Sequence, residues 1–333
     1  MKLFITGGAG FIGSNFIRHI LNKYPDYEVI NFDKLTYAGN LENLKDIENS
    51  ARYKFIKGDI CDKEAVKKAL EGSDAIINFA AETHVDRSIL DDDDFIKTNI
   101  FGVKVILEAA LSAKVKKIIQ ISTDEVYGDL NEGGFAREEH LLHPSSPYSA
   151  AKAAGDLLCL SYYRTFGLPV AITRSSNNYG PYQYPEKLIP LFVSNLMEGK
   201  KVPVYGDGSQ VRDWLYVLDN CEGIDLVLHE GEAGRIYNIG ANQDPEISNL
   251  HLTKEIIRAC EKDETCIDYV KDRPGHDKRY AIDTKKIRGL GWAPKTSFQD
   301  GLKKTIEWYK NNKEWLDKVK SGEYLEYYKK QYK

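Results

Sequence analysis

Over its first 175 residues the chain alternates short runs of β-branched and aromatic residues with longer stretches of helical period, and this alternation constrains the fold more than any other feature. Residues 2–6, 28–32, 53–57, 75–79, 117–122 and 169–173 are predicted strands, and 11–23, 62–71, 91–113 and 148–166 are predicted helices. A connection that carries a whole helix returns the chain to the same edge of a sheet, so the strands pair in parallel with helices on both faces. The expectation is an α/β fold with a doubly wound parallel sheet. A chain of 333 residues has room for more, and after about Ser175 the pattern breaks into shorter segments rich in Gly, Pro and Tyr. Residues 1–175 are therefore expected to form the sheet domain, and residues 176–333 a smaller mixed α/β lobe interleaved with it.

Charge narrows the range of partners. Lys plus Arg number 46 against 50 Asp plus Glu, a formal net charge of −4, which gives no electrostatic reason to expect nucleic acid or an anionic membrane. No run of apolar residues is long enough to span a bilayer, and Met1–Thr6 leads straight into glycines rather than into a secretory leader, so a cytoplasmic protein is expected. The five cysteines are scattered, with no Cys-x-x-Cys pair, and read as reduced thiols. Asp91 to Asp94 precede a helical pattern, where carboxylates offset the macrodipole. His140 and His143, with Glu138 and Glu139, fall in a polar stretch before Pro144 and read as surface loop, so no metal is expected. Helices 91–113 and 148–166 carry apolar residues on more than one face. Either the second lobe covers the surplus, or two copies of the chain pair through a four-helix bundle as a homodimer.

Thr6-Gly7-Gly8-Ala9-Gly10-Phe11-Ile12-Gly13 closes the first predicted strand and opens the first helix. Positions without side chains let the backbone turn tightly and approach a pyrophosphate, which rests on the amides of the helix N-terminus in a Rossmann-type arrangement. Gly7, Gly10, Phe11, Ile12 and Gly13 are the expected contacts. Asp33 ends the second strand 20 residues beyond Gly13. A carboxylate there accepts hydrogen bonds from ribose hydroxyls and repels a 2′-phosphate, so the expected cofactor is NAD rather than NADP, with the adjacent Lys34 weakening the exclusion. Asp59, in Gly58-Asp59-Ile60, is either an adenine contact or a helix cap. Ala80 and Ala81 keep small side chains where the cofactor crosses the sheet edge.

Tyr148 and Lys152 stand four residues apart, on one face of a helix. A phenol acts as a base near neutrality only if a cation lowers its pKa, and Lys152 is the candidate. The fifth strand runs into Ser122-Thr123-Asp124-Glu125-Val126-Tyr127-Gly128, at the edge where open α/β sheets bind ligands. Oxidation of an alcohol has no use for two adjacent acids, and an isolated pair would read as a helix cap and a solvated carboxylate. Elimination does use them: a ketone at C4 of a sugar acidifies the C5 hydrogen, and loss of the C6 hydroxyl then takes a base at C5 and an acid at O6.

The glycine turn, Thr123 and the Tyr148–Lys152 pair resemble the short-chain dehydrogenase/reductase family, in its extended branch acting on sugar nucleotides. The acid pair and the blocks Ala80–Ser88, Ser176–Tyr182, Pro185–Pro190, Gln210–Trp214 and Asp272–Asp277 are similar to the 4,6-dehydratases of that branch over nearly the whole chain. The resemblance implies that dTDP-glucose loses water by C4 oxidation, C5/C6 elimination and return of the hydride to C6, with NAD tightly bound and recycled. It implies that Tyr148 takes the C4 hydroxyl proton, aided by Thr123 and Lys152, while Glu125 acts at C5 and Asp124 at O6. Thr36, Ile60, Thr98 and Asn178 are implied as further cofactor contacts. For the substrate it implies Thr83, His84, Asn177, Lys187, Leu188, Pro203, Val204, Tyr205, Arg212, Asn249, Asp272, Arg273 and His276. Thr83 stands where the family more often has Ser. A 4-epimerase or decarboxylase of the branch would not need both acids, a dehydratase for GDP-mannose would differ at the base pocket, and a non-catalytic NAD sensor would have lost part of the set.

Overall fold

The computed structural model describes residues 1–130 and 133–320. In chain order the first half contains β1 (Lys2–Thr6), α1 (Phe11–Lys23), β2 (Glu28–Asp33), β3 (Tyr53–Lys57), α2 (Lys63–Leu70), β4 (Ala75–Asn78), α3 (Val85–Leu90), α4 (Asp93–Ile96), α5 (Val103–Ala113), β5 (Lys117–Thr123), α6 (Pro147–Phe166) and β6 (Val170–Ser175). The second half adds β7 (Asn177–Tyr179), α7 (Leu188–Met197), β8 (Val202–Tyr205), β9 (Val211–Arg212), β10 (Trp214–Tyr216), α8 (Val217–Glu230), β11 (Ile236–Ile239), β12 (Ile247–Ser248), α9 (Asn249–Ala259), β13 (Ile267–Val270), α10 (Lys285–Gly289), α11 (Phe298–Asn311) and α12 (Lys313–Val319).

Seven strands pair in the order β11-β6-β5-β4-β1-β2-β3, every pair parallel. The order reverses beside β1, which opens a crevice at the strands' C-terminal ends. The strands read as apolar runs because both faces are covered. Leu3 and Ile5 of β1 pack with α1 and α8, while Phe4 between them packs with α2, α5 and α6. A third apolar cluster, around Tyr179, Phe192, Trp214 and Tyr309, is the core of the second lobe. No described helix is long and apolar enough to cross a membrane.

Four features differ from, or refine, the sequence reading. The residues beyond 175 do not all join the second lobe: β11 extends the main sheet beside β6, and α8 packs against α1. The single helix expected over 91–113 is three pieces, with a π-helical turn at Lys97–Gly102 between α4 and α5. The extra residue in such a turn re-aims a side chain; here Asn99 is buried and its amide grips the backbone of Glu82, receiving its N–H at 3.0 Å and donating to its carbonyl at 2.9 Å. Glu138 is not a surface acid but is buried against Asn238, whose N–H it accepts at 3.0 Å; His140 and His143 are exposed. Finally, the second lobe does not cover the outer face of the helices around α6, where Leu157 is 58% exposed, Ile96 49% and Phe101 42%.

Candidate active site

The glycine turn, the end of β2 and the loops after β4 and β5 enclose a cavity of about 290 Å³. Gly7 has φ +67°, and a Cβ there would lie 2.5 Å from the Ala80 nitrogen; at Gly13 it would lie 2.4 Å from the Gly7 carbonyl. Turn, helix and β4 loop therefore close on one another with no room for a side chain. The first turn of α1 carries no acid and its Gly10 cap supplies no side-chain hydrogen bond, so its amides are left for an anion. Asp33 is buried and accepts from the Ala9 N–H at 2.9 Å and the Leu35 N–H at 2.8 Å; burial raises its carboxyl and these two bonds work against the rise. Lys34 lies 2.9 Å from Asp59. Asp59 also accepts from the Cys61 N–H at 2.9 Å, so it caps a turn and faces the cavity at once.

Gly7, Gly10, Phe11, Ile12, Gly13, Asp33, Lys34, Thr36, Asp59, Ile60, Ala80, Ala81, Thr98 and Asn178 all line this cavity, together with Tyr148 and Lys152. The residues fit a dinucleotide: a bare cradle for phosphates, a carboxylate at ribose distance along the chain, and the buried Asn178 Oδ1, which has no hydrogen-bond partner.

At the end of β5 the chain turns into a short 3₁₀ segment, Asp124–Tyr127. Thr123 caps it, accepting from the Glu125 N–H at 3.3 Å and donating to Asp124 Oδ1 at 3.2 Å. Tyr148 opens α6, whose start is fixed by Pro147 and by a capping box between Ser146 and Ser149. Tyr148 and Thr123 line the same cavity. One turn on, the Lys152 ammonium donates to the Ile121 carbonyl at 2.6 Å. A further turn on, the buried Asp156 receives the Ser122 hydroxyl at 3.0 Å and the Arg174 guanidinium at 2.9 Å, which ties α6 to β5 and β6. Tyr148, Lys152 and the β5 acids are thus held on rigid elements.

The expected lowering of the phenol by Lys152 is not what the geometry produces. Burial pushes Tyr148 well above the ordinary range, with the negative Glu125 next in weight, and the lysine is committed to the strand. The two acids diverge. Asp124 is buried and pushed up to about 8, first by burial and then by Glu125 and Asp213. Glu125 is also raised by burial, but Arg273, Lys187 and Arg212 pull it back. Near neutral pH Asp124 therefore holds a proton, beside a Glu125 whose own rise three cations oppose.

A second cavity, of about 170 Å³, opens from the first. Glu125, Asn177, Asn178, Gln183, Glu186 and Lys187 line both. Of the expected substrate residues, His84, Leu188, Pro203, Val204, Tyr205, Arg212, Asn249, Arg273 and His276 line the second cavity, and Thr83 and Thr123 the first. Asp272 lines neither; it stands behind His276, accepting at 2.6 Å from the ring nitrogen and so orienting it. Burial, and then Arg273, push His276 down to about 4, which leaves the ring neutral. The cations Lys187, Arg212 and Arg273 suit a diphosphate, and the Asn249 Oδ1 is buried without a partner.

Sequence reasoning passed over several wall residues. Asp86 holds Arg273 at 2.8 Å and the Tyr205 hydroxyl at 3.0 Å. Glu186 holds Arg87 at 3.3 Å and the Tyr37 hydroxyl at 3.0 Å. Glu82, raised to about 7 chiefly by burial, lines the first cavity, and Tyr280 lies under Arg212 in the second. Glu82 and Asp86 stand in the block Ala80–Ser88 and Glu186 beside Lys187 in Pro185-Glu186-Lys187, whereas Tyr280 had no local signal.

A parallel sheet with the dinucleotide cradle at its switch point, and Thr123 at the end of β5 with Tyr148 and Lys152 of α6 lining the same cavity, define an enzyme of the extended short-chain dehydrogenase/reductase class. Within it the chain belongs to the family described as GDP-mannose 4,6 dehydratase, which it matches over residues 4–305. The dTDP-glucose 4,6-dehydratase of Streptomyces niveus is 50% identical over 326 residues, 96% of each chain. The dTDP-glucose 4,6-dehydratase 1 of Escherichia coli K12 is 48% identical, over 100% of this chain and 99% of that one. Among solved structures, DesIV from Streptomyces venezuelae, a dTDP-glucose 4,6-dehydratase with NAD and TYD bound, superposes with a TM-score of 0.93 at 48% identity, covering 96% of this chain and 100% of that one.

Proposed function

We propose that this protein is a hydro-lyase that converts dTDP-glucose to dTDP-4-keto-6-deoxyglucose with a resident NAD, a step of deoxysugar synthesis. The observation that carries the reading is the acid pair: a protonated Asp124 and a Glu125 under three cations, side by side where the two cavities join. The 46–50% identity of several dTDP-glucose 4,6-dehydratases, over 95–100% of this chain, supports it further.

When bound, NAD supplies a positive charge and a reversible two-electron acceptor in the cleft, with no net consumption. Tyr148, whose raised phenol the positive charge of the bound cofactor would bring down, takes the C4 hydroxyl proton, with Thr123 beside it and Lys152 holding the strand and the cofactor ribose. Glu125 removes the C5 proton made acidic by the C4 ketone. Asp124 protonates the departing C6 hydroxyl, which leaves as water. Lys187, Arg212 and Arg273 hold the diphosphate, with Asn177 and Asn249 beside it; Pro203, Val204 and Tyr205 flank the base. Both lobes are needed for one reaction and act as a unit. The exposed apolar face at Phe101 and Leu157 supports a homodimer through a four-helix bundle, working in the cytoplasm on a small-molecule substrate.

The test is incubation with dTDP-glucose, GDP-mannose and UDP-glucose separately, without added reductant. A product lighter by one water from dTDP-glucose is expected. Unchanged dTDP-glucose with bound NAD present, or turnover of GDP-mannose alone, would overturn the assignment.

A further inference from the structure

The C-terminal helix α12 is far in sequence from the glycine turn, yet it ends a chain of buried hydrogen bonds that reaches it. The Trp315 indole N–H donates to Asn43 Oδ1 at 2.8 Å. The Asn43 amide donates in turn to the Ala9 carbonyl at 2.9 Å, and the Ala9 N–H donates to Asp33 at 2.9 Å. Asn43 is 1% exposed and Trp315 9%. Ala9 lies inside the phosphate turn and Asp33 is the expected ribose carboxylate, so one residue of the cradle is held at its N–H by Asp33 and at its carbonyl by Asn43, together with the Asn40 N–H at 3.0 Å, and Trp315 anchors Asn43.

Neighbouring contacts act on the same wall. The backbone carbonyl of Asn43 also accepts from Arg18, whose guanidinium lies 4.3 Å from the Tyr182 ring. Tyr182 packs on Trp308 and Trp315, with ring centroids 4.6 and 6.0 Å away. The Tyr309 hydroxyl of α11 donates to the Gln183 carbonyl at 2.6 Å, and Gln183 lines both cavities. The α11–α12 pair thus grips Asn43, in the segment after β2, and Gln183, where the two cavities join.

Resting on the reading that NAD is the resident cofactor, we propose that Trp315 is a positioning residue that acts through Asn43 and Ala9 to set how long NAD stays bound. The reaction returns the cofactor to its starting state, so release serves no step of the cycle, and a wall fixed by buried bonds lowers the ordering cost of holding it. Losing one buried hydrogen bond on this path speeds release by about threefold to tenfold.

The experiment uses the full chain loaded with NAD and follows exchange against labelled NAD. Trp315→Phe keeps a ring and removes the N–H; Asn43→Ser shortens the bridge; the double variant combines them. Exchange about threefold to tenfold faster in each single variant, and no faster in the double variant than in Asn43→Ser, is expected, because Trp315 works through Asn43. A lowered unfolding temperature with an unchanged exchange rate in Trp315→Phe would make it a core residue only and overturn the proposal. Additive effects in the double variant would also overturn it. A wild-type chain that retains no NAD would instead overturn the cofactor reading itself.

Discussion

Asp124 offers the sharpest quantitative prediction, because its buried carboxyl is pushed up to about 8 and the proposed chemistry needs it protonated. A group with that pKa is about nine-tenths protonated at pH 7 and about one-tenth at pH 9. Turnover of saturating dTDP-glucose should therefore fall about tenfold across those two pH units. The sign of the stability effect follows from the same shift. The folded-state pKa lies above the unfolded value near 4, so folding retains a proton that the unfolded chain releases. The cost is absent below about pH 4, grows as pH rises, and levels off above about 8. At pH 7 it is about 4 kcal/mol. Asp124→Asn removes that cost while abolishing proton donation. Turnover should drop by about 100-fold or more, while the unfolding temperature rises by several degrees at pH 8 relative to the wild type and is little changed at pH 4. Initial rates by product absorbance and unfolding by calorimetry, each from pH 4 to 9.5 as stability allows, measure both. A turnover profile flat to pH 9.5, or a variant less stable than the wild type at pH 8, would refute the reasoning.

Other expectations follow from particular contacts. Glu125→Gln should lower exchange of the C5 hydrogen with deuterated solvent by about 100-fold, with far-UV circular dichroism unchanged; undiminished exchange would reassign the base. Asp33→Ala removes the carboxylate that receives the Ala9 and Leu35 amides and faces the ribose, and should weaken NAD by about 2 kcal/mol while narrowing the preference over NADP, read by calorimetric titration. Gly7→Ala places a Cβ 2.5 Å from the backbone of Ala80 at a φ of +67° and should cost at least about 2 kcal/mol, read as a lowered unfolding temperature and loss of copurified NAD. Phe101→Glu with Leu157→Glu should halve the mass seen by light scattering, and an unchanged mass would place the subunit contact elsewhere.

Much of the fold was legible because its signals are local. The first six strands and most helices between them are set by runs and periods that one segment contains, and each expected element ends within two residues of its limit apart from the divided helix, while α3 (Val85–Leu90) was not expected. β11 was missed because Ile236–Ile239 is short, stands after the regular pattern ends, and becomes a sheet strand only by pairing with β6 far upstream. The π turn at Lys97–Gly102 leaves no mark in the periodicity, and the grip of Asn99 on Glu82 that accompanies it joins residues 17 apart in the chain. The site divides in the same way. Gly7 to Gly13, Asp33, Asp124, Glu125, Tyr148 and Lys152 sit in compact patterns whose spacing implies chemistry. Asp86, Glu186 and Tyr280 act by holding Arg273, Arg87 and Arg212 from distant segments, so only the folded chain reveals these pairings. Conversely, Asp272 is adjacent to Arg273 in sequence but orients His276 from behind the wall.

The central claim is a redox-neutral elimination in which the hydrogen removed from C4 is stored and returned within one active-site visit. Turnover of dTDP-glucose carrying deuterium at C4, followed by NMR of the product, tests it most directly. The account predicts a 4-keto-6-deoxy sugar with the label at C6. Loss of the label to solvent, or its recovery at C4, would contradict it.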